Sequence, residues 1–292
     1  MYPYEVIFGM NLYDICLTVA VVLVLFLADR MGVYRGFSVK LQNVLIFSII
    51  GAVGLGFFGA VFFQAIYNAL ETGTFVIDVN TGMTFYGGII FGIVGFLLVW
   101  FVLGKRLCKS DEPVKKFAAV ADIAACLIPL AHGIGRIGCL TAGCCHGAKT
   151  DAWYGISMCY GKTADGTWLF EKYVPVQLFE AIFLFVLAGV MFWLFFKKFG
   201  KENTGRFPLL PVYTVAYGVW RFFIEYARAD DRGATVVSFL TPSQLVAICM
   251  VLLGVAYFLL WYFFRRKTSE NKAEEVTTAE TNEGGVPSEN QQ

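Results

Sequence analysis

Histidine is nearly missing: His132 and His146 are the only two in a chain of 292 residues. Imidazole-built metal centres and Ser-His-Asp triads have almost nothing to work with. Charge is scarce too. Asp, Glu, Lys and Arg make up 15% of the chain, against roughly a quarter in an ordinary soluble domain. The net charge of +1 supplies no basic field for nucleic acid, so no nucleic-acid partner is expected. No basic residue precedes Arg30, so the charged n-region of a signal peptide is lacking and the first apolar run is expected to stay. No internal repeat is visible, which weighs against an inverted-repeat transporter.

Apolar residues are abundant: 58% of the chain is hydrophobic, with 29 Phe and 6 Trp, and the mean hydropathy is +0.64. A water-soluble protein of this size would expose more apolar surface than solubility tolerates, so the natural solvent is a bilayer. Runs long enough to cross one, at roughly 20 residues each, lie at 13–29, 42–68, 84–104, 117–131, 175–196, 208–226 and 242–264. The expected fold class is all-α integral membrane, with seven transmembrane helices in one unit over 1–267. The fourth run is the weakest. It is short, carries Asp122 and runs into His132-Gly133-Ile134-Gly135-Arg136-Ile137-Gly138. Residues 132–174 read as an outer, partly interfacial loop region with Trp153, Tyr154, Trp168 and Tyr173 at headgroup depth. Residues 268–292, polar and without aromatics, read as a disordered cytoplasmic tail.

Lysine and arginine set the orientation. Of the 23 basic residues, 16 follow the first, third, fifth and seventh runs, as at Arg30 and Arg35, Lys105 and Arg106, Lys197 and Lys198, Arg265 and Arg266. The N-terminus is therefore expected outside and the C-terminus in the cytoplasm.

Charges left at membrane depth are expensive and so informative. They cluster on the outer half. Arg136 sits among Gly133, Gly135 and Gly138, while Arg221 and Glu225 are four apart on one helix face with Tyr217 a turn earlier. Arg228, Asp230, Asp231 and Arg232 continue the set outward. One reading pairs the arginines internally with Asp122, Glu180 and Glu225. The other, favoured when the residues are taken together, is a glycine-lined pocket whose planar guanidinium groups hold an anionic phospholipid headgroup. Solute or ion transport through the same pocket is the alternative. Cys139, Cys144 and Cys145 precede His146, but Cys-x4-Cys-Cys-His does not match the paired spacings of zinc sites, so no metal is assigned. A disulfide on an oxidising face, or small residues for close helix packing, are the other readings.

Several segments then fall into a recognisable order. They are Gly82-Met83-Thr84-Phe85-Tyr86-Gly87-Gly88; Asp122, fourteen residues before Arg136; Gly135-Arg136-Ile137-Gly138-Cys139-Leu140 with Cys144 and Gly147 beyond; Pro175-Val176-Gln177-Leu178-Phe179-Glu180; Tyr217-Gly218-Val219-Trp220-Arg221-Phe222-Phe223-Ile224-Glu225; and Ser243-Gln244-Leu245. The chain resembles the prolipoprotein diacylglyceryl transferases over most of its length. The resemblance implies a bacterial inner (cytoplasmic) membrane, multi-pass transferase that needs no cofactor. Its partners would be phosphatidylglycerol and the lipobox of a preprolipoprotein signal peptide, and its reaction the transfer of a diacylglyceryl group to the lipobox cysteine thiol with release of glycerol phosphate. By correspondence Arg136, Arg221, Tyr86 and Glu225 are the catalytic candidates, and Arg136, Arg221, Tyr217, Gly138, Gly147, Asp122 and His132 the substrate-binding ones. The chain departs from the family pattern at Tyr86, where a His is frequent, at Cys139 in place of Asn and at Cys144 in place of Glu. A phenol is a poor base at neutral pH, which leaves His132 and His146 as candidate proton acceptors and leaves room for another lipid or thiol substrate.

Overall fold

Each apolar run becomes a helix whose ends are set by local chemistry. The computed structural model describes residues 6, 9–78, 82–198, 207–228 and 240–283. Helix α1 (Leu12–Tyr34) starts at a capping box in which the Asn11 side chain accepts from the Asp14 amide at 3.1 Å and the Asp14 carboxylate accepts from the Asn11 amide at 3.2 Å. Helix α2 (Val39–Thr72) is capped by Ser38 and ends at Gly73, whose φ of 75° only glycine adopts freely. Helices α3 (Phe85–Cys108) and α4 (Glu112–Lys115) lead into α5 (Phe117–Ala142). After α5 come strands β1 (Ile156–Lys162) and β2 (Trp168–Tyr173), then α6 (Val176–Trp193) with a π turn at Leu194–Lys198, α7 (Leu210–Ile224) with a 3-10 turn at Glu225–Ala227, and α8 (Pro242–Glu283).

Among the described residues, six helical stretches are long and apolar enough to cross a membrane: α1, α2, α3, α5, the 22 residues from Val176 to Lys197, and the first 23 of α8. The protein is a multi-pass, mainly helical membrane protein. The sixth expected run, 208–226, gives only the 15 residues of α7. Counted with the 3-10 turn Glu225–Ala227 that continues it without a break, at 1.5 Å per α and 2.0 Å per 3-10 residue, it reaches about 28 Å, close to a hydrocarbon core of about 30 Å.

Three local features of the structure bear on the other expectations. The glycine-rich stretch from His132 to Gly138 is not a loop but lies within the second half of α5. Backbone groups among apolar neighbours must be satisfied internally, so the helix persists, and the glycines serve close approach. A Cβ on Gly133 would come within 2.8 Å of the Phe185 ring, and one on Gly138 within 3.1 Å of Tyr13. The fold is mainly α, as expected, and β1 and β2 add one antiparallel hairpin within the 132–174 region. The expected tail is helical as far as Glu283, and the sequence holds no Gly or Pro between Arg265 and Gly284 to stop it. Residues 284–292 of that tail lie outside the described residues.

Helices α2 and α3 pack at backbone contact, and α5 lies centrally, touching α1, α6 and α7. The buried core gathers Ala28, Met31, Leu41, Trp100, Ile123, Leu184, Phe195 and Leu209 around α5. That arrangement fixes the one helix that carries both Asp122 and Arg136.

Candidate active site

Glu180, wholly buried on α6, is the centre of a polar cluster inside this apolar frame. Arg136, near the end of α5, faces it with two nitrogens: Nε lies 2.9 Å from Oε2, and Nη2 donates to Oε1 at 3.2 Å. Tyr217, from α7, donates its hydroxyl to Oε1 at 3.0 Å. His132, one turn before Arg136, brings Nε2 to 3.8 Å from Oε1, and its ring meets that of Tyr217 edge-on. Three helices thus converge on one carboxylate. Water is largely excluded, so each of these interactions is stronger than it would be at a surface.

A second pair stands beside the first. Arg221 Nη2 lies 2.7 Å from Glu225 Oε2 and donates to Ser243 Oγ at 2.8 Å. Thr241 donates to Glu225 Oε1 at 2.9 Å, so the start of α8 closes the pair. Arg221 Nη1 is buried and has no hydrogen-bond partner among the described residues. An unsatisfied buried guanidinium N–H is costly to leave unpaired. Both arginines act electrostatically on Glu180, His132 and Tyr217. The two arginines and two glutamates sum to zero charge, so an anion would be held here by aimed N–H donors rather than by net field.

The remaining candidates fall elsewhere. Asp122 lies fourteen residues, or about 21 Å of helix, from Arg136. It accepts from the Leu209 amide at 2.9 Å, at the start of α7, and its other oxygen lies 3.8 Å from Arg35 Nη2. Arg35 is buried over the Phe195 ring at 4.1 Å, and that burial pulls it below the ordinary arginine range. Tyr86 is partly exposed at the start of α3, its ring against Phe85, and no contact among the described residues joins it to either arginine. Gly138 packs on α1. Gly147 forms a backbone bridge to Arg228, and a Cβ there would meet the Ala227 carbonyl at 2.5 Å. His146 stays outside the cluster, its ring tilted against that of Tyr173 at 3.9 Å, with Nδ1 donating to the Gly147 carbonyl at 2.9 Å. Asp230, Asp231 and Arg232 lie outside the described residues.

Sequence reasoning named Glu180 as a possible ion-pair partner without placing it in the site. The signal was in the Pro175–Glu180 segment, where Gln177 and Glu180 are one helical turn apart and both fully buried. Gln177 donates to the Cys144 carbonyl at 2.6 Å and so ties α6 to the loop after α5. In that loop the Cys145 thiol is held below the ordinary thiol range by hydrogen bonds from Cys139 and Cys144 and by Arg228, while sharing those hydrogens pushes Cys144 up.

Comparison with known proteins identifies the family. The family profile for prolipoprotein diacylglyceryl transferase matches residues 4–261. The phosphatidylglycerol–prolipoprotein diacylglyceryl transferase 2 of Clostridium perfringens is 31% identical over 265 residues, covering 85% of this chain and 91% of the relative. The transferase of Clostridium tetani is 29% identical over 256 residues, covering 86% and 94%, and that of Pseudomonas putida KT2440 is 28% identical over 237 residues, covering 80% and 81%. The ordered motifs, the buried arginine–glutamate pairs they build and the match over nearly the whole chain lead to one conclusion: this chain belongs to the prolipoprotein diacylglyceryl transferase family.

Proposed function

We propose that the chain transfers the diacylglyceryl group of phosphatidylglycerol to the lipobox cysteine thiol of a preprolipoprotein in the bacterial inner membrane. The C–O bond between the glyceryl carbon and the phosphate breaks, a thioether C–S bond forms, and glycerol phosphate leaves with the phosphate. The observation that carries the reading is the buried Arg221 Nη1, without a hydrogen-bond partner among the described residues, beside a second arginine held by the buried Glu180 carboxylate. A phosphodiester oxygen is the acceptor this donor lacks, and the donor strengthens as charge builds on the leaving phosphate. Glu225 orients Arg221, Glu180 and Tyr217 orient Arg136, and His132 is the imidazole placed within the cluster to take the thiol proton. Tyr86 and Asp122 are given no contact with substrate.

The basic-residue bias supports an outside N-terminus and a cytoplasmic C-terminus, which puts the arginines in the outer half of the bilayer. The unit that does this is residues 1–267.

The test is lipidation of a lipobox peptide by the full chain in phosphatidylglycerol vesicles, read as the peptide's mass gain together with glycerol phosphate release. Wild-type protein should give both, and Arg136→Ala or Arg221→Ala should give neither. Wild-type rates from either variant would sink the proposal.

A further inference from the structure

Three thiols stand together just past Arg136, and the phosphate chemistry has no use for them. Cys139 is in the last turn of α5, Gly143 ends the helix at φ 69°, and Cys144 and Cys145 follow at once. The three sulfur atoms lie within 4.8 Å of one another. Cys145 holds φ at 63°, the left-handed region that a residue with a Cβ enters only against steric resistance. The turn therefore brings back onto Cys139 a thiol that an extended backbone would carry away. Gln177 fixes the same turn from α6 through the Cys144 carbonyl, and Arg228 hydrogen-bonds Cys145.

We propose that Cys139, Cys144 and Cys145 form a binding site for one thiophilic metal ion of the zinc class. Zn–S bonds of about 2.3 Å put tetrahedral sulfurs about 3.8 Å apart, so the ligands close by less than the slack in their own χ1 rotations. Three thiolates and Zn2+ leave a net charge of −1, the three thiol protons pass to solvent, and Arg228 stands where it offsets the charge. Cys144 is exposed and lines an open cavity of about 300 Å³ together with His146, Cys159 and Trp168. That cavity gives the ion an entry path and leaves its fourth position to water or an external ligand. The linear spacing conceals the site, because the usual zinc pattern is two separated pairs, whereas here a helix end and a left-handed residue fold one short segment back on itself.

The site does not depend on what the chain catalyses, and neither does its test. Full-length protein is purified in detergent under reducing, chelator-free conditions. Its zinc content is measured, and Cd2+ is titrated while the sulfur-to-metal charge-transfer band is followed. One zinc per chain, a band saturating at one equivalent, and three sulfurs in the X-ray absorption of the zinc-loaded wild type are expected. Cys144→Ser and Cys145→Ser should weaken binding by about tenfold or more, whereas Cys249→Ser, on α8, should leave it unchanged. The sulfur count needs no variant, so misfolding of a serine variant leaves the proposal testable. Absence of saturable 1:1 uptake by the reduced protein, or two or fewer sulfurs on the metal, would overturn it. So would a disulfide among the three that forms as fast with zinc as without.

Discussion

Arg136 and Glu180 face each other at two points, an ion pair at 2.9 Å and a hydrogen bond at 3.2 Å, with the glutamate side chain wholly buried. Neither group is tolerable at this depth without the other. Glu180→Gln keeps the shape but strands the Arg136 charge, a loss of about 3–5 kcal/mol for a broken buried pair. Tyr217→Phe removes one hydrogen bond to the same carboxylate, worth about 1.5–3 kcal/mol. Thermal unfolding in detergent should rank wild type above Tyr217→Phe and Tyr217→Phe above Glu180→Gln. Lipidation rates should fall in the same order, because both changes release the guanidinium of Arg136.

Arg221 separates charge from geometry. Arg221→Lys keeps a positive charge near Glu225 but has neither the fork nor the Nη1 donor. If donor geometry holds the phosphate, the lysine protein should stay folded and lose about 2 kcal/mol or more of transition-state stabilisation, on the scale of one removed oxyanion donor. The readout is kcat against lipid concentration. A lysine variant with wild-type kcat and a raised KM would mean that the residue contributes to binding alone.

Asp122 is expected to behave differently from the arginines, although it stands on the same helix as Arg136. It caps the start of α7 through the Leu209 amide and neutralises the buried Arg35. Asp122→Asn should cost stability, again about 3–5 kcal/mol for a broken buried pair, while the folded fraction keeps its KM for lipid. A changed KM at unchanged stability would instead place Asp122 in the substrate site.

The parts of this site that were legible in the sequence share a helix. Arg221 and Glu225 are four apart, and that spacing alone puts them on one face. Arg136 stood out because charge is rare in an apolar chain. The convergence on Glu180 could not be read so, since its partners come from α5 and α7, 44 residues before it and 37 after. The Gly133–Gly138 stretch misled for a physical reason. Glycine breaks helices where water can satisfy the freed backbone, and here the backbone has Phe185 and Tyr13 against it instead. The 208–226 run is mostly apolar apart from Arg221 and Glu225, yet Leu210 and Ile224 bound its α-helix. Pro208 and Pro211 sit at one end, and the chain tightens into a 3-10 turn from Glu225 at the other. The hairpin of β1 and β2 lay within the region read as a loop, where two short strands gave little periodicity to detect.

The α2–α3 pairing makes the last prediction, and it concerns how Tyr86 is held. Gly59 on α2 and Gly87 on α3 let the two backbones touch: a Cβ on Gly59 would stand 2.4 Å from the Phe91 Cβ, and one on Gly87 would stand 2.5 Å from the Gly59 carbonyl. In lipid, helices gain little from burying apolar surface against one another, so this close packing is what joins them. A single methyl at either glycine must push the helices apart, at about 1–3 kcal/mol for overpacking. Gly54 meets nothing within 4 Å on the same helix, so a methyl there has room. Gly59→Ala and Gly87→Ala should lower the unfolding temperature in detergent, whereas Gly54→Ala should leave it unchanged or raise it, since alanine is the better helix former. Because Tyr86 adjoins Gly87 at the start of α3, lipidation by the stable fraction of Gly87→Ala also reports on that tyrosine. An unchanged rate would agree with a Tyr86 that stands apart from both arginines, and a collapsed rate would return it to the catalytic set.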